Sequence, residues 1–326
     1  MSIHIYDEIV NLLIDENNCN IGIAMHDSPD GDCVGSAIAL EESLLQIGKN
    51  VTIICHNKVS SIYKDIFGIN RVDKITITDD SYFDIIVLLD CCDVNRTVSG
   101  IESMCDNLII IDHHDNCEPF GDIYLYEKSP STGVILYNII KKFAKITPEI
   151  ATALYLTIRS DTGCFKNNNT SSIAHKAAGK LISHGADIQL INKIYDGKSL
   201  SFLKLMGNSF NEIIFERDYG IIYLIINYRS IRMSGSTYKE ASNLIDLIKN
   251  VDGSDVAYLF LINKDKTIVK GRSSDNVDIA KIMTKFDGGG HKNAAGAIMS
   301  GSNHYDNIDR VIRATKECID DKNRNN

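Results

Sequence analysis

The sequence predicts an α/β protein: a first domain with a mainly parallel sheet and helices on both faces, a helical connector, and a smaller second α/β domain. Three observations carry this. Apolar runs (Asn20–Met25, Val51–Cys55, Ile85–Cys92, Leu108–Asp112) alternate with helix-period segments through the first half, and strands apolar along their whole length belong to parallel sheets covered on both sides. The texture then changes to one long helical stretch followed by hairpin patterning. The length, 326 residues at 44% hydrophobic and 24% charged, is that of about two ordinary globular domains. The divisions fall at 1–187, 188–217 for the connector, and 218–326.

Taken in order, the strand Asn20–Met25 passes through a polar loop into an apolar-periodic helix, Cys33–Ile47. Ser129-Pro130 starts a helix running to about Phe143, with proline in the first turn, where its missing N–H costs nothing. Thr147-Pro148-Glu149 opens another in the same way, to about Arg159. Asn167–Thr170 is a polar break, and the helix Ile173–His184 is stopped by Gly185. In the second half, a helical stretch from about Leu190 to Glu216 leads to the strand Gly220–Asn227 and a helix near Tyr238–Ile248. A hairpin of Ala257–Ile262 and Thr267–Gly271, a short helix Val277–Lys285 and a Gly-rich turn follow. The strand Ala294–Met299 and an amphipathic helix then lead to a polar tail, Asp320–Asn326.

Composition narrows the function. Apolar runs such as Ile85–Leu89 and Ile221–Ile226 are far short of the ~18 residues that a membrane helix needs. The acidic start lacks the cationic region of a secretion signal. Nine scattered cysteines, an odd number, fit reduced thiols and a cytoplasmic location. The net charge of −9 disfavours long nucleic acid duplexes, so handling phosphate requires bound metal or a local basic pocket.

Ligands of open parallel sheets gather at the carboxyl ends of strands. Here the first strand is followed by His26-Asp27-Ser28-Pro29-Asp30-Gly31-Asp32, Ile85–Leu89 by Asp90, and Leu108–Ile111 by Asp112-His113-His114. The helix Ile150–Arg159 runs into Asp161-Thr162-Gly163. Singly, each has a structural explanation, Asp30 and Asp32 being turn or helix-cap residues beside Gly31. Four such segments on one rim are not what independent turns produce. Together they predict a shared cation site. Mixed oxygen and imidazole donors suit Mn²⁺, whereas Mg²⁺ prefers oxygen and Zn²⁺ would favour thiolates.

These segments resemble the four motifs of the DHH phosphoesterase superfamily. Gly271-Arg272-Ser273-Ser274, followed by Gly288-Gly289-Gly290-His291-Lys292-Asn293-Ala294-Ala295-Gly296, is similar to the signature of its DHHA1 domain. The motifs match in order and spacing over nearly the whole chain. The resemblance implies two Mn²⁺ per active site, with Mg²⁺ as a substitute. His26, Asp30 and Asp90 would hold the first, and Asp32, Asp90, His113 and Asp161 the second, with Asp90 bridging. Such a pair of ions lowers the pKa of a shared water and stabilises charge on the phosphoryl group. The resemblance also implies that His114 faces the substrate phosphate as a catalytic partner of Asp90, and that Asp112 orients a ligand histidine.

Gly288–Gly290 alone would read as a turn, but glycines also let backbone N–H groups approach a phosphate. The guanidinium of Arg272 suits bidentate phosphate contact. Arg272, Gly289, Gly290 and His291 are accordingly assigned to substrate. Arg96 reads equally as a phosphate ligand or a solvated surface residue. Cys33, Cys91, Cys92, Cys117 and Cys164 read as core or loop residues, and Arg159 as part of a helix surface.

Within the superfamily, the compact two-domain layout is similar to the branch of nanoRNase-type oligoribonucleases that also remove the 3′-phosphate of pAp. The implied substrates are very short RNA or dinucleotides and pAp, with no membrane partner and a homodimer left open. The alternative is a soluble phosphodiesterase for linear or cyclic dinucleotides such as pApA or cyclic-di-AMP. A non-catalytic nucleotide sensor is more remote, because all six metal positions are filled.

Overall fold

Strands β1 (Asn20–Ala24), β2 (Asn50–Ile54), β3 (Phe83–Leu89), β4 (Cys105–Asp112) and β5 (Ile123–Tyr126) form an all-parallel sheet in the order β2-β1-β3-β4-β5. The structure, a computed structural model, describes residues 2–55, 57–72, 81–115, 120–274 and 276–325. The chain divides into two compact units, Met1–Gly197 and Lys198–Asn326. In the first, alternation along the strands splits the side chains between two cores. Ile85, Val87 and Leu89 join Ile21, Ile23, Ile109 and Ile111 on one face, while Ile86 and Leu88 join Ala24, Leu108 and Ile110 on the other.

Helices α1 (Ser2–Ile14), α2 (Gly31–Gln46), α3 (Ile69–Val72), α4 (Thr132–Ile140), α5 (Pro148–Asp161), α6 (Ser172–Ser183) and α7 (Ile188–Asp196) all contribute to the first core. Ile101, in a short 3-10 turn, packs on the second. Helix α5 begins as predicted, with Thr147 capping and Pro148 in the first turn. Helix α4 starts later than Ser129-Pro130, because Ser131 is extended and the Ser129 carbonyl faces a histidine ring instead. Glycine sets the spacing under the site. A Cβ on Gly35 of α2 would lie 2.4 Å from the Ala153 carbonyl oxygen of α5.

The second unit holds β6 (Ile214–Glu216), β7 (Ile221–Asn227), β8 (Val256–Asn263), β9 (Lys266–Ser273), β10 (Gly289–His291) and β11 (Ala294–Ser300), in the order β10-β11-β9-β8-β7-β6. Only β7 and β8 pair in parallel. One face packs α8 (Leu200–Ser209), α9 (Tyr228–Ser234), α10 (Tyr238–Ser242) and α11 (Ile245–Ile248), and the other α12 (Ile279–Thr284) and α13 (His304–Asn325). None of the described helices is long and apolar enough to cross a membrane.

Several predicted elements differ. The stretch Leu190–Glu216 is α7, α8, a 3-10 turn and β6 rather than one helix. It breaks at Gly197, and Ser199 then caps α8 by accepting from the Phe202 amide at 3.0 Å. Ile191 lies in the first unit's core and Phe202 and Leu205 in the second's, so 188–217 divides between the units. The Gly-rich turn is a strand, β10, and the polar tail continues α13 to Asn325. Helix α1 and strand β5 were not foreseen. The former shows a legible core stripe at Tyr6, Ile9, Val10 and Leu13, whereas the latter has only one buried residue in four.

Alanine at Gly35 gains helix propensity worth about 1 kcal/mol at most, but its methyl meets a backbone carbonyl that cannot swing away. Overpacking of about 1–3 kcal/mol should win. Gly35→Ala is expected to lower Tm, and an unchanged or higher Tm would contradict this account of the α2–α5 contact.

Candidate metal centre

Four segments distant in sequence meet at the carboxyl edge of the first sheet. Asp32, fully buried in the first turn of α2, accepts from the Thr132 and Gly133 amides at 2.7 and 3.1 Å and from Ser36 Oγ at 3.3 Å. Its charge therefore sits on the N-terminal end of α4. Asp90 follows β3 with a left-handed backbone, φ 58°, a conformation costing about 1–3 kcal/mol in a non-glycine residue. Its amide is tied to the Ile111 carbonyl at 3.0 Å, and its Oδ1 accepts from Thr132 Oγ1 at 3.1 Å. Asp161 ends α5. Asn167 and Asn169 donate to its carbonyl at 3.0 and 3.1 Å, so the polar break after the helix braces it.

His113 lies at the middle of these acids. Its Nδ1 is 3.0 Å from the Ser129 carbonyl, which places a proton on that nitrogen. Its Nε2 is buried without a well-formed hydrogen bond, yet lies 2.9, 3.5 and 3.6 Å from oxygens of Asp161, Asp90 and Asp32. In neutral imidazole, Nε2 would present a lone pair to three carboxylates. Either a proton or a cation must hold such an arrangement together. Oxygen and imidazole donors converging in this way fit a divalent ion.

The ionisation tendencies agree. Burial, then Asp90 and Asp161, push the Asp32 carboxyl well above the usual range. Burial also raises Asp90, against the pull of the neighbouring His113 imidazole. Burial would lower His113, but Asp161 and Asp90 carry it up to about 11. His26 is lowered, chiefly by burial.

Three groups of donors have their ligand atoms within 4.8 Å of one another: Asp32, His113 and Asp161; Asp90, His113 and His114; and His26, Cys33 and Asp90. The structure thus joins five of the six predicted metal positions. Asp30 belongs to none of these groups. Its Oδ1 caps α2, accepting from the Asp32 and Cys33 amides at 2.9 and 3.2 Å. His26 Nε2 is 3.8 Å from Asp90 Oδ2. Arg96 lies beside it, its guanidinium 3.1 Å from His26 Nδ1 and 3.5 Å from Asp27.

Asp112 serves a different histidine from the one expected. It accepts from His114 Nδ1 at 2.7 Å and from the His113 and His114 amides. It therefore orients His114, while the Ser129 carbonyl orients His113. Burial would raise Asp112, but the His114 bond and charge bring it below the usual range. That same bond raises His114, a half-exposed imidazole.

Other expectations change too. Arg159 is not on a helix surface: it is 8% exposed, 3.0 Å from Asp196 and beside the Tyr195 ring. Tyr195 was missed in the sequence. A Cβ on Gly31 would lie 2.2 Å from its hydroxyl and 2.8 Å from Ser160 Oγ, so α7 closes over the glycine between Asp30 and Asp32. Cys33 and Cys91 are buried free thiols raised by burial, in keeping with core packing. Cys164 is also free, Cys117 lies outside the described residues, and Cys92 is disulfide-bonded, unlike the reduced thiols expected throughout.

In the second unit, register aligns Arg272 with Ala294 and Ala294 with His291 across β9, β11 and β10. A groove of about 550 Å³ is lined by Arg272, Lys270, Gly288, Gly289 and residues of β11. Arg272 also lies 3.7 Å from Asp246. Two of the glycines serve the backbone: Gly290 has φ 142°, and a Cβ on Gly288 would lie 2.3 Å from the Gly296 carbonyl oxygen. Gly289 faces open space. Lys270 was missed, although its two-residue spacing from Arg272 puts both on one strand face.

Residues 20–158 match the profile of the DHH family, N-terminal domain, and residues 219–321 that of the DHHA1 domain. The chain is 27% identical over 293 residues to the bifunctional oligoribonuclease and PAP phosphatase NrnA of Bacillus subtilis, covering 88% of this chain and 90% of that one. It is 26% identical over 302 residues to the protein of that name from Thermus thermophilus, covering 91% and 89%. A solved exopolyphosphatase-related protein from Bacteroides fragilis shares the fold, with TM-score 0.80 and 22% identity over 97% of this chain and 96% of its own.

Raised pKa values at Asp32, Asp90 and His113 mean that the folded, cation-free chain binds protons that the unfolded chain sheds. That stability is present at low pH and lost as pH rises through the folded values. A divalent ion supplies the same positive charge without protons. The Tm gain on adding Mn²⁺ should therefore grow from about pH 6 to about pH 8.5. A gain that shrinks over this range would mean that the ion binds elsewhere.

Proposed function

Because the chain belongs to the DHH family, carries a DHHA1 domain and is a phosphoesterase, we propose that it hydrolyses very short oligoribonucleotides to 5′-mononucleotides and removes the 3′-phosphate of pAp. The observation that carries the chemistry is His113 Nε2 ringed by oxygens of Asp32, Asp90 and Asp161. Support for the substrates comes from NrnA relatives aligned over about nine-tenths of both chains. Such substrates belong to the cytoplasm.

Asp32, Asp90, His113 and Asp161 would hold one divalent ion, and His26, Asp30 and Asp90 a second. Mn²⁺ suits this donor set better than Mg²⁺. When bound, the ions would supply positive charge able to acidify a water and steady the phosphoryl oxygens. His114, oriented by Asp112, faces a phosphoryl oxygen. Arg96, half-exposed beside His26, is available to a second one. In the second unit, Arg272 and His291, with the open backbone at Gly289 and the turn held by Gly290, bind phosphate or nucleotide. Lys270 adds charge to the same groove.

The test is turnover with Mn²⁺ on pAp, a 5′-phosphorylated diribonucleotide, a ten-nucleotide RNA, cyclic-di-AMP and pyrophosphate. Cleavage of the first two with little of the rest is expected, and Asp90→Asn should lose essentially all turnover. Preference for cyclic-di-AMP or pyrophosphate would overturn the substrate assignment. Turnover retained by a folded, metal-depleted Asp90→Asn chain would falsify the metal assignment. Arg272→Ala should raise KM by roughly tenfold to a hundredfold, the scale of a charged hydrogen bond of about 1.5–3 kcal/mol, while Mn²⁺ binding is retained. Loss of Mn²⁺ binding would show that Arg272 serves the metal centre instead.

A further inference from the structure

A second basic cavity lies in the unit Lys198–Asn326, away from the Arg272 groove. Strands β7 and β8 run parallel, and their carboxyl ends, Asn227 and Asn263, open onto a pocket of about 860 Å³. Ligand crevices form at such strand ends in α/β sheets. Asn263 pairs with Lys266 of β9, whereas Arg272 pairs with Ala257. Arg272 itself is thus six residues of strand, about 20 Å, from this end of the sheet.

The lining of this pocket carries Arg229, Arg232 and Lys264 and no carboxylate. None of the three has an ion-pair partner among the described residues. Arg229 and Arg232 stand three apart on α9, where like charges share one face and repel. Of the other arginines in this unit, Arg313 pairs with Asp309 and Arg272 lies near Asp246, while Arg217 and Arg310 lie over the rings of Phe215 and Phe286. In a chain of net charge −9, an uncompensated trio around a cavity is best satisfied by an anion.

Two further groups refine the class of ligand. Tyr228 leaves 41% of its surface exposed at the pocket, and it stacks against Tyr238 with ring centres 5.8 Å apart. This gives a braced aromatic surface of the kind on which bases stack. His304 is held through Nδ1 by Thr267 Oγ1 at 3.0 Å, fixing a polar ring at the other wall. Guanidinium forks, an exposed aromatic ring and this volume together match a phosphorylated nucleoside.

We propose that this pocket is a second nucleotide site, taking a phosphorylated nucleoside through Arg229, Arg232 and Lys264 with its base against Tyr228. The inference rests on the chemistry of this unit alone and stands independently of the metal-centre function.

Calorimetric titration of the full chain in EDTA with 5′-AMP tests it, comparing unaltered protein, R229Q/R232Q and R272A. The unaltered chain should show an AMP-binding class that R229Q/R232Q weakens at least tenfold and R272A leaves intact. Hydrolysis of the diribonucleotide by R229Q/R232Q should stay within twofold when Mn²⁺ is restored. Tyr228→Ala should weaken AMP without changing the affinity for inorganic phosphate. Absence of AMP binding, or AMP binding insensitive to R229Q/R232Q, overturns the site. Equal competition by adenosine or by inorganic phosphate overturns the nucleotide class, and a matching fall in hydrolysis overturns its separateness. A failed substrate assignment is distinguishable, because it appears as an unaltered chain that does not cleave the diribonucleotide.

Discussion

Oxygens of three carboxylates crowd around one buried imidazole nitrogen, and the first unit is arranged to tolerate this. Ligand atoms of Asp32, His113 and Asp161 lie within 4.8 Å of one another. Two like charges about 4 Å apart repel by about 4 kcal/mol at a protein-like dielectric, comparable to a large part of a domain's net stability. Such crowding persists only if the fold supplies compensating dipoles and the site recruits positive charge. The Thr132 and Gly133 amides at the start of α4 supply the first to Asp32. Protons or divalent ions supply the second. The same requirement makes the site a cation trap.

Holding the acids there constrains backbone as well as side chains. Asp90 keeps a left-handed conformation, anchored through its amide to β4. Gly31 leaves room for the Tyr195 hydroxyl, and Gly133 for Thr157. These contacts bring α2, α4, α5 and α7 onto one rim. Arg159 fastens α7 through Asp196, so the last helix of the unit bears directly on the loop that carries Asp30 and Asp32. Gly31, between Asp30 and Asp32, is thereby explained by packing, without reference to a ligand.

The second unit solves a different problem. Its β9–β11–β10 ribbon brings backbones together at Gly288 and Gly290, leaving Arg272 and Lys270 along an open groove, with His291 in register with Ala294 beside it. At the opposite end of the same sheet, the parallel pair β7 and β8 opens a second cationic cavity. A mixed sheet therefore offers two chemically similar ends, one shaped by a glycine ribbon and one by a helix that follows a strand.

The sequence by itself determined the two α/β units, the parallel character of the first sheet, and the acids and histidines that end its strands. Apolar runs and proline-marked helix starts are local signals, and the motif residues are individually conspicuous. Only the tertiary structure decided which histidine each acid serves. That Asp112 holds His114 while the Ser129 carbonyl holds His113 depends on where β4 and the segment before α4 come to rest. Tyr195 and Arg159 were unreadable for the same reason, since a tyrosine or arginine on a helix gives no hint of a partner 37 residues away in the Arg159–Asp196 pair. Periodicity and composition record which residues must be buried. The pairing of polar atoms depends on distances set by packed helices and strands, and those exist only once the chain has folded.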